Sequence, residues 1–328
     1  MTGAETNLRK RSMLRSAMGP AIEAALGDPR VIEIMVNPDG MLRLDLLGEG
    51  RVDTEVRIAQ DQVERIIRLV ASHVRSEVHA ERPIVSAELP AHGEGAGERF
   101  EGILPPVAMA PCFSIRKPAA RIHSLGDYVA DGIMSREAAE ILRQAVLHRA
   151  NILVVGGTSS GKTTLANALL NEMASLDERV VLIEDTRELQ SPAPDTVALR
   201  TRQGHVTIGD LVRSTLRLRP DRIIVGEVRG PEALDMLKAW NTGHPGGIAT
   251  IHANGAGAAL HRLESLVQEA VVTVPRRLIA EAIDLVVFIA GRGLARRIAA
   301  IARLEGLDPG SGDYRLTDLL SPSTPEGE

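Results

Sequence analysis

Aromatic side chains are almost missing from this 328-residue chain, which has three Phe, two Tyr and one Trp. Its cores must therefore be built from Leu, Ile, Val and Ala, and no surface of rings is available on which bases could stack. Cysteine is scarcer still. Cys112 stands alone, which excludes an internal disulfide and suits a reducing compartment. No apolar run reaches the roughly 18 residues of a membrane-spanning helix, so none is expected. Lysine occupies only positions 10, 117, 162 and 238, the rest of the 38 basic residues being arginine. Acidic residues number 43, giving a net charge of −5 spread along the chain. With neither half basic and rings so few, there is no strong signal for nucleic-acid binding.

What remains is ordinary globular material, 44% hydrophobic and 25% charged, and long enough for two domains. Residues 1–19 hold a basic cluster (Arg9, Lys10, Arg11, Arg15) without the apolar stretch of a secretion signal, and read as a flexible terminus. Such a terminus could stay solvated or touch an anionic membrane surface. Gly19-Pro20 interrupts any helix, and a short one from Pro20 would bury Ile22, Ala25 and Leu26. Two apolar stretches, 31–36 and 41–47, flank Asn37-Pro38-Asp39-Gly40 and predict a hairpin. Val63, Ile66, Ile67 and Val70 predict a helix over 59–74. Short strands are expected at 84–89, 99–104 and 112–116, making residues 20–117 an α+β domain. Residues 118–135 read as a connection in which His123 and Tyr128 are packing residues.

From residue 136 to about 320 the pattern alternates helix and strand, which predicts a parallel sheet wrapped by helices; a polar tail covers 321–328. One stretch organises this domain. The buried strand 152–155 runs into Gly156, Gly157, Thr158, Ser159, Ser160, Gly161, Lys162, Thr163 and Thr164, which fit the phosphate-binding loop G-x-x-x-x-G-K-[ST]. Glycine lets main-chain N–H groups close around phosphates, and the following helix adds the positive end of its dipole. Lys162 would reach the β- and γ-phosphates, and the Thr163 hydroxyl would hold Mg²⁺. ATP is the expected nucleotide, since no Asn-Lys-x-Asp stretch favours guanine.

Three further strands end in polar groups: Glu184-Asp185-Thr-Arg-Glu188, Gly226-Glu227-Val-Arg229, and His252-Ala-Asn254. If those strands neighbour the phosphate strand, two carboxylates and an imidazole converge on the γ-phosphate, as hydrolysis requires. Taken singly, Glu188 reads as a solvated or locally paired carboxylate.

These stretches, together with 216–230, 243–254, Phe113-Ser-Ile-Arg-Lys-Pro118 and Glu98–Pro106, resemble the secretion/traffic ATPases over about residues 20–300. Within that family they are most similar to the conjugal-transfer ATPases of type IV secretion systems. The resemblance implies a RecA-like P-loop NTPase domain of α/β class with a smaller α+β N-terminal domain. It implies an ATP-hydrolysing motor, worked by nucleotide-driven domain closure, with Lys162, Glu184, Glu227 and His252 as its catalytic set. Glu184 would activate water, Glu227 would hold the Mg²⁺ shell through water, and His252 would sense the γ-phosphate; which glutamate is the base stays open. Arg99 and Arg116 match N-terminal-domain arginines that close over the nucleotide. A homohexameric ring is implied, cytoplasmic and peripheral to the inner membrane, working with secretion channel proteins. The alternatives are a type II secretion or pilus motor, a RecA-type DNA translocase, and a nucleotide-gated scaffold that does not hydrolyse.

Overall fold

The computed structural model describes residues 3–90, 97–118, 122–202 and 204–320. The chain divides into two compact units, Met1–Ala120 and Arg121–Glu328. Among the described residues no helix is long and apolar enough to cross a membrane. The side chains of Arg9, Lys10 and Arg11 and the tail 321–328 lie outside the described residues.

The first unit holds helix α1 (Gly3–Gly27), strands β1 (Val31–Val36), β2 (Met41–Leu46) and β3 (Gly50–Arg57), helix α2 (Gln60–His73), and strands β4 (Ile84–Glu88), β5 (Arg99–Ile103) and β6 (Cys112–Arg116). Its antiparallel sheet has the order β3-β2-β1-β6-β5-β4. The expected hairpin joins β1 to β2. Gly40 turns it at φ +76°, and a Cβ there would lie 2.7 Å from the Ile58 carbonyl oxygen. Ile34, Phe100 and Ile115 from the sheet pack with Val63, Ile66, Ile67 and Val70 of α2.

Within the stretch expected to be a flexible terminus, the described residues from Gly3 on are helical, and Leu14 and Met18 are buried. The helix runs from Gly3, kinks at Gly19 (φ 79°, ψ 169°) and continues through Pro20. Leu14, Met18 and Ile22 recur every fourth residue and are buried in the same core as α2, so the charged residues masked an apolar stripe. The kink takes carbonyls out of the helix ladder, and the Gln62 side-chain amide donates to the Ala17 and Met18 oxygens (3.3 and 3.4 Å). Strand β3 was not expected, because almost none of its side chains is buried.

The second unit contains helices α3 (Leu125–Ala130) and α4 (Arg136–Leu147), β7 (Ile152–Gly156), α5 (Lys162–Asn171), β8 (Arg179–Glu184), β9 (Asp195–Arg200), α6 (Ile208–Thr215), β10 (Arg222–Val225), α7 (Glu232–Asn241), β11 (Ile248–His252), α8 (Ala256–Gln268), α9 (Arg276–Ala282), β12 (Leu285–Ala290), β13 (Arg297–Leu307) and β14 (Tyr314–Asp318). The sheet order is β14-β13-β12-β7-β11-β10-β8-β9. It is parallel from β12 to β9, while β13 and β14 add on antiparallel, a departure from the all-parallel expectation. Both rim strands carry charges, Asp195 and Arg200 on β9, Arg315 and Asp318 on β14.

Side chains alternate along the central strands and feed two cores. Leu153, Val155, Val181, Ile183, Ile223 and Val225 pack with α6, α7, α8 and α9. Ile152, Val154, Val180, Leu182 and Ile224 pack on the opposite face with α3, α4 and α5. Much of the stretch read as a connection belongs to this second core. A capping box of Ser124 and Asp127 starts α3, which buries Leu125 and Tyr128.

Candidate functional site

Strand β7 sits inside the sheet, and its loop reverses over Gly157–Gly161 to enter α5. Two positions in that loop admit only glycine for physical reasons. A Cβ at Gly156 would lie 2.5 Å from the Ser160 Oγ and 2.6 Å from the Ile289 carbonyl oxygen. Gly161 has φ +94°, and a Cβ there would meet the Arg296 guanidinium carbon at 2.9 Å. Ser159 also takes a positive φ of 61°, with Thr158 and Ser159 exposed. The Ser160 hydroxyl is buried without a hydrogen-bond partner. A glycine-rich turn at a helix N-terminus, with a buried, unpartnered hydroxyl beside it, has the chemistry to receive a polyphosphate.

Strand register brings the other groups to this turn. His252 ends β11 directly opposite Gly156, and β10 lies on the far side of β11. The turn after β10 is held on both sides. Gly226 N–H donates to the Ile183 oxygen (2.9 Å), and Thr250 Oγ donates to the Gly226 oxygen (2.7 Å). Glu227 therefore projects beside His252, whose Nε2 lies 2.8 Å from Glu227 Oε1. Lys162 Nζ donates to the Gly157 oxygen (3.0 Å) and lies 3.3 Å from either ring nitrogen of His252. The Arg229 guanidinium pairs with Glu227 Oε2.

Electrostatics follow from that packing. Burial, then the Lys162 ammonium, pull the His252 pKa below its usual 6.5, so the imidazole is neutral at pH 7. Burial pushes Glu227 up, but its pairing with Arg229 and the Lys162 ammonium, joined by His252 when that ring is protonated, outweigh this and hold it below 4.5. Thr163, the second residue of α5, is half-buried.

Glu184 is placed differently from the expected water activator. It is buried at the end of β8, and Oε1 accepts the N–H groups of Glu188 (2.9 Å) and Leu189 (2.8 Å). Its side chain fills the space over Gly226, where a Cβ would lie 2.9 Å from Glu184 Cγ. Burial drives its pKa up to about 7, and the nearby charges acting on it are those of Glu188 and Arg187. Glu184 thus braces the loop that carries Glu188. Pairing with Glu227 raises the Arg229 pKa, and the charges of Asp185 and Glu188 on that loop add to the rise.

In the other unit, Arg99 and Arg116 stand directly opposite one another on β5 and β6, with Glu33 across from Arg116 on β1. On the other side of the pair Glu88 of β4 stands across from Arg99, so each arginine has a carboxylate opposite it on a neighbouring strand. Sequence reasoning quoted Arg229 among the polar strand ends without giving it a role, and passed over Asn167 and Arg296. Arg229 follows Glu227 by two residues, Asn167 breaks the apolar run of α5, and Arg296 lies on the connection between β12 and β13, where no local pattern ties it to the phosphate loop.

A family model described as type II/IV secretion system protein matches residues 49–304. The chain belongs to that family. It is 46% identical over 308 residues to the conjugal transfer protein TrbB of Rhizobium radiobacter, spanning 93% of this chain and 94% of the relative. It is 31% identical over 288 residues to the type IV secretion system protein VirB11 of Bartonella quintana, spanning 76% and 79%. Among solved structures, the pilus retraction motor PilT with bound ADP aligns with a TM-score of 0.61 at 20% identity, covering 93% of this chain and 83% of that one. The likeness to PilT concerns the fold. It agrees with an α/β P-loop domain accompanied by a smaller N-terminal one.

Proposed function

We propose that this protein is an ATP-hydrolysing motor that energises a type IV secretion apparatus for conjugative DNA transfer, as a homohexameric ring on the cytoplasmic side of the inner membrane. The observation that carries the reading is the continuous polar chain Lys162–His252–Glu227–Arg229 at the mouth of the glycine cradle. Relatives named for conjugal transfer, similar over almost their whole length, support the choice of apparatus.

In this reading the cradle N–H groups and Lys162 hold the phosphates, and a nucleotide draws the ammonium away from the Gly157 oxygen. Thr163 and, through water, Glu227 would hold Mg²⁺, which neutralises phosphate charge when bound. Among the described residues no cluster of three or more His, Cys, Asp or Glu could hold a metal alone, so phosphate oxygens would complete the shell. His252, neutral and hydrogen-bond competent, reports on the γ-phosphate. Glu188 orients the attacking water, and Glu184 holds its loop; this revises the role expected for Glu184. Arg99 and Arg116 bring fixed positive charge to the phosphates when the two units close on them. The same closure, passed round a ring, would push on the secretion channel proteins.

The test is turnover of Lys162→Ala with solution mass measured with and without ATP·Mg²⁺. We expect hydrolysis to vanish while the protein stays folded. Undiminished phosphate release by that variant removes the cradle from the mechanism.

A further inference from the structure

The loop that carries Glu188 is gripped from two directions by buried side chains. From β8, Glu184 takes the N–H groups of residues 188 and 189. From α5, Asn167 takes the flanking groups: its Nδ2 donates to the Glu188 oxygen (3.0 Å), and its Oδ1 accepts the Gln190 N–H (2.9 Å). Asn167 is 3% exposed and sits among Leu165, Ala166, Ala168, Leu169 and Leu170, all buried. A carboxamide in such surroundings is costly unless both ends are satisfied, and here both are satisfied by main chain alone.

The helix bearing this carboxamide is the one whose first turn contains Lys162 and Thr163. Asn167 lies five residues on, about 7.5 Å along the axis. The element that receives the phosphates and the one that presents the carboxylate are therefore joined by one rigid side chain. Leu189 and Ala193 pack into the same apolar cluster as α5, so the joint is dry.

We infer that Asn167 is a positioning residue that ties the Glu188 loop to the phosphate-binding helix, setting where the carboxylate stands relative to bound nucleotide. The inference rests on the assignment of Glu188 proposed above. Without the carboxamide the cradle still binds nucleotide, but the carboxylate loses its register, and displacements near 1 Å cost about 100-fold in rate.

The experiment compares wild type with Asn167→Ala and, as a partner of unchanged shape, Asn167→Asp, which replaces the donor to the Glu188 oxygen. Binding is read with a fluorescent N-methylanthraniloyl ATP and Mg²⁺, turnover by phosphate release, and loop order by hydrogen exchange of peptides covering 184–192. We expect nucleotide affinity within about twofold, kcat lowered at least tenfold with KM little changed, and faster exchange at 188–190. If Asn167→Ala fails to fold, Asn167→Asp is read by the same criteria. A kcat within twofold of wild type despite faster exchange overturns the inference, as does loss of affinity in parallel with kcat. Glu188→Gln separates the two levels. Full turnover in that variant overturns the Glu188 assignment, whereas its inactivity beside a fully active Asn167→Ala overturns the positioning role alone.

Discussion

Replacing Glu184 by Gln should make the second unit more stable at pH 8 and leave it unchanged near pH 4.5. The carboxyl is buried, and its pKa rises from 4.5 to about 7 in the folded protein. Below pH 4.5 both folded and unfolded chains carry it protonated, so no penalty exists. Between 4.5 and 7 the unfolded chain releases the proton while the folded one keeps it, so stability falls as pH rises; above 7 the penalty is complete. A displacement of that size corresponds to roughly 3 kcal/mol. Gln keeps an oxygen to accept the Glu188 and Leu189 N–H groups and removes the ionisation. Trp240, the single tryptophan, is buried in the core of the same unit and reports its unfolding. With a slope of about 2 kcal/mol/M, the urea midpoint of Glu184→Gln at pH 8 should exceed wild type by roughly 1–2 M. The difference should close towards pH 4.5. A gap independent of pH, or a less stable variant at pH 8, refutes the argument that desolvation dominates at Glu184.

Other outcomes follow from single contacts. Gly161→Ala places a Cβ 2.9 Å from the Arg296 guanidinium at a φ of +94°, so stability should fall by about 1–2 kcal/mol. Its nucleotide affinity should drop at least tenfold, measured by fluorescent ATP titration. Gly247→Ala drives a Cβ to 2.1 Å from the Trp240 indole, which is fixed by its bond to the Ile223 oxygen (3.0 Å). It should lose about 3 kcal/mol, seen in urea unfolding. Arg116→Ala removes an exposed charge opposite Arg99 and should leave thermal stability unchanged while lowering kcat at least tenfold. Small-angle scattering with a non-hydrolysable ATP analogue should show weaker compaction in that variant.

Much of the architecture was legible because β7, β8, β10 and β11 are short apolar runs, each followed by a polar turn. The neighbourhood of Lys162, Glu227 and His252 follows from that parallel arrangement, although the opposition of His252 and Gly156 needs the strand register. The different settings of the glutamates were not legible. Glu184 and Glu188 lie four residues apart with the same chemistry, and only burial shows that Glu184 is spent on main-chain N–H groups. Asn167 offered a visible clue, a polar residue inside an apolar helix, yet its partners come from a loop distant in sequence. Strands β3 and β14 escaped notice because exposed or partly buried rim strands lack a clean alternation. The first half of α1 was obscured in the opposite way, by a run of basic residues in the sequence that drew attention away from the buried Leu14 and Met18.

The charges on β9 and β14 bear on how copies of this chain can meet. An open sheet would otherwise invite a neighbour's backbone to continue it into an endless ribbon. Asp195 and Arg200 at one margin, and Arg315 and Asp318 at the other, would have to be stripped of water for such a ribbon to grow. Any association between copies is thereby steered away from main-chain zippering and toward surfaces made of side chains.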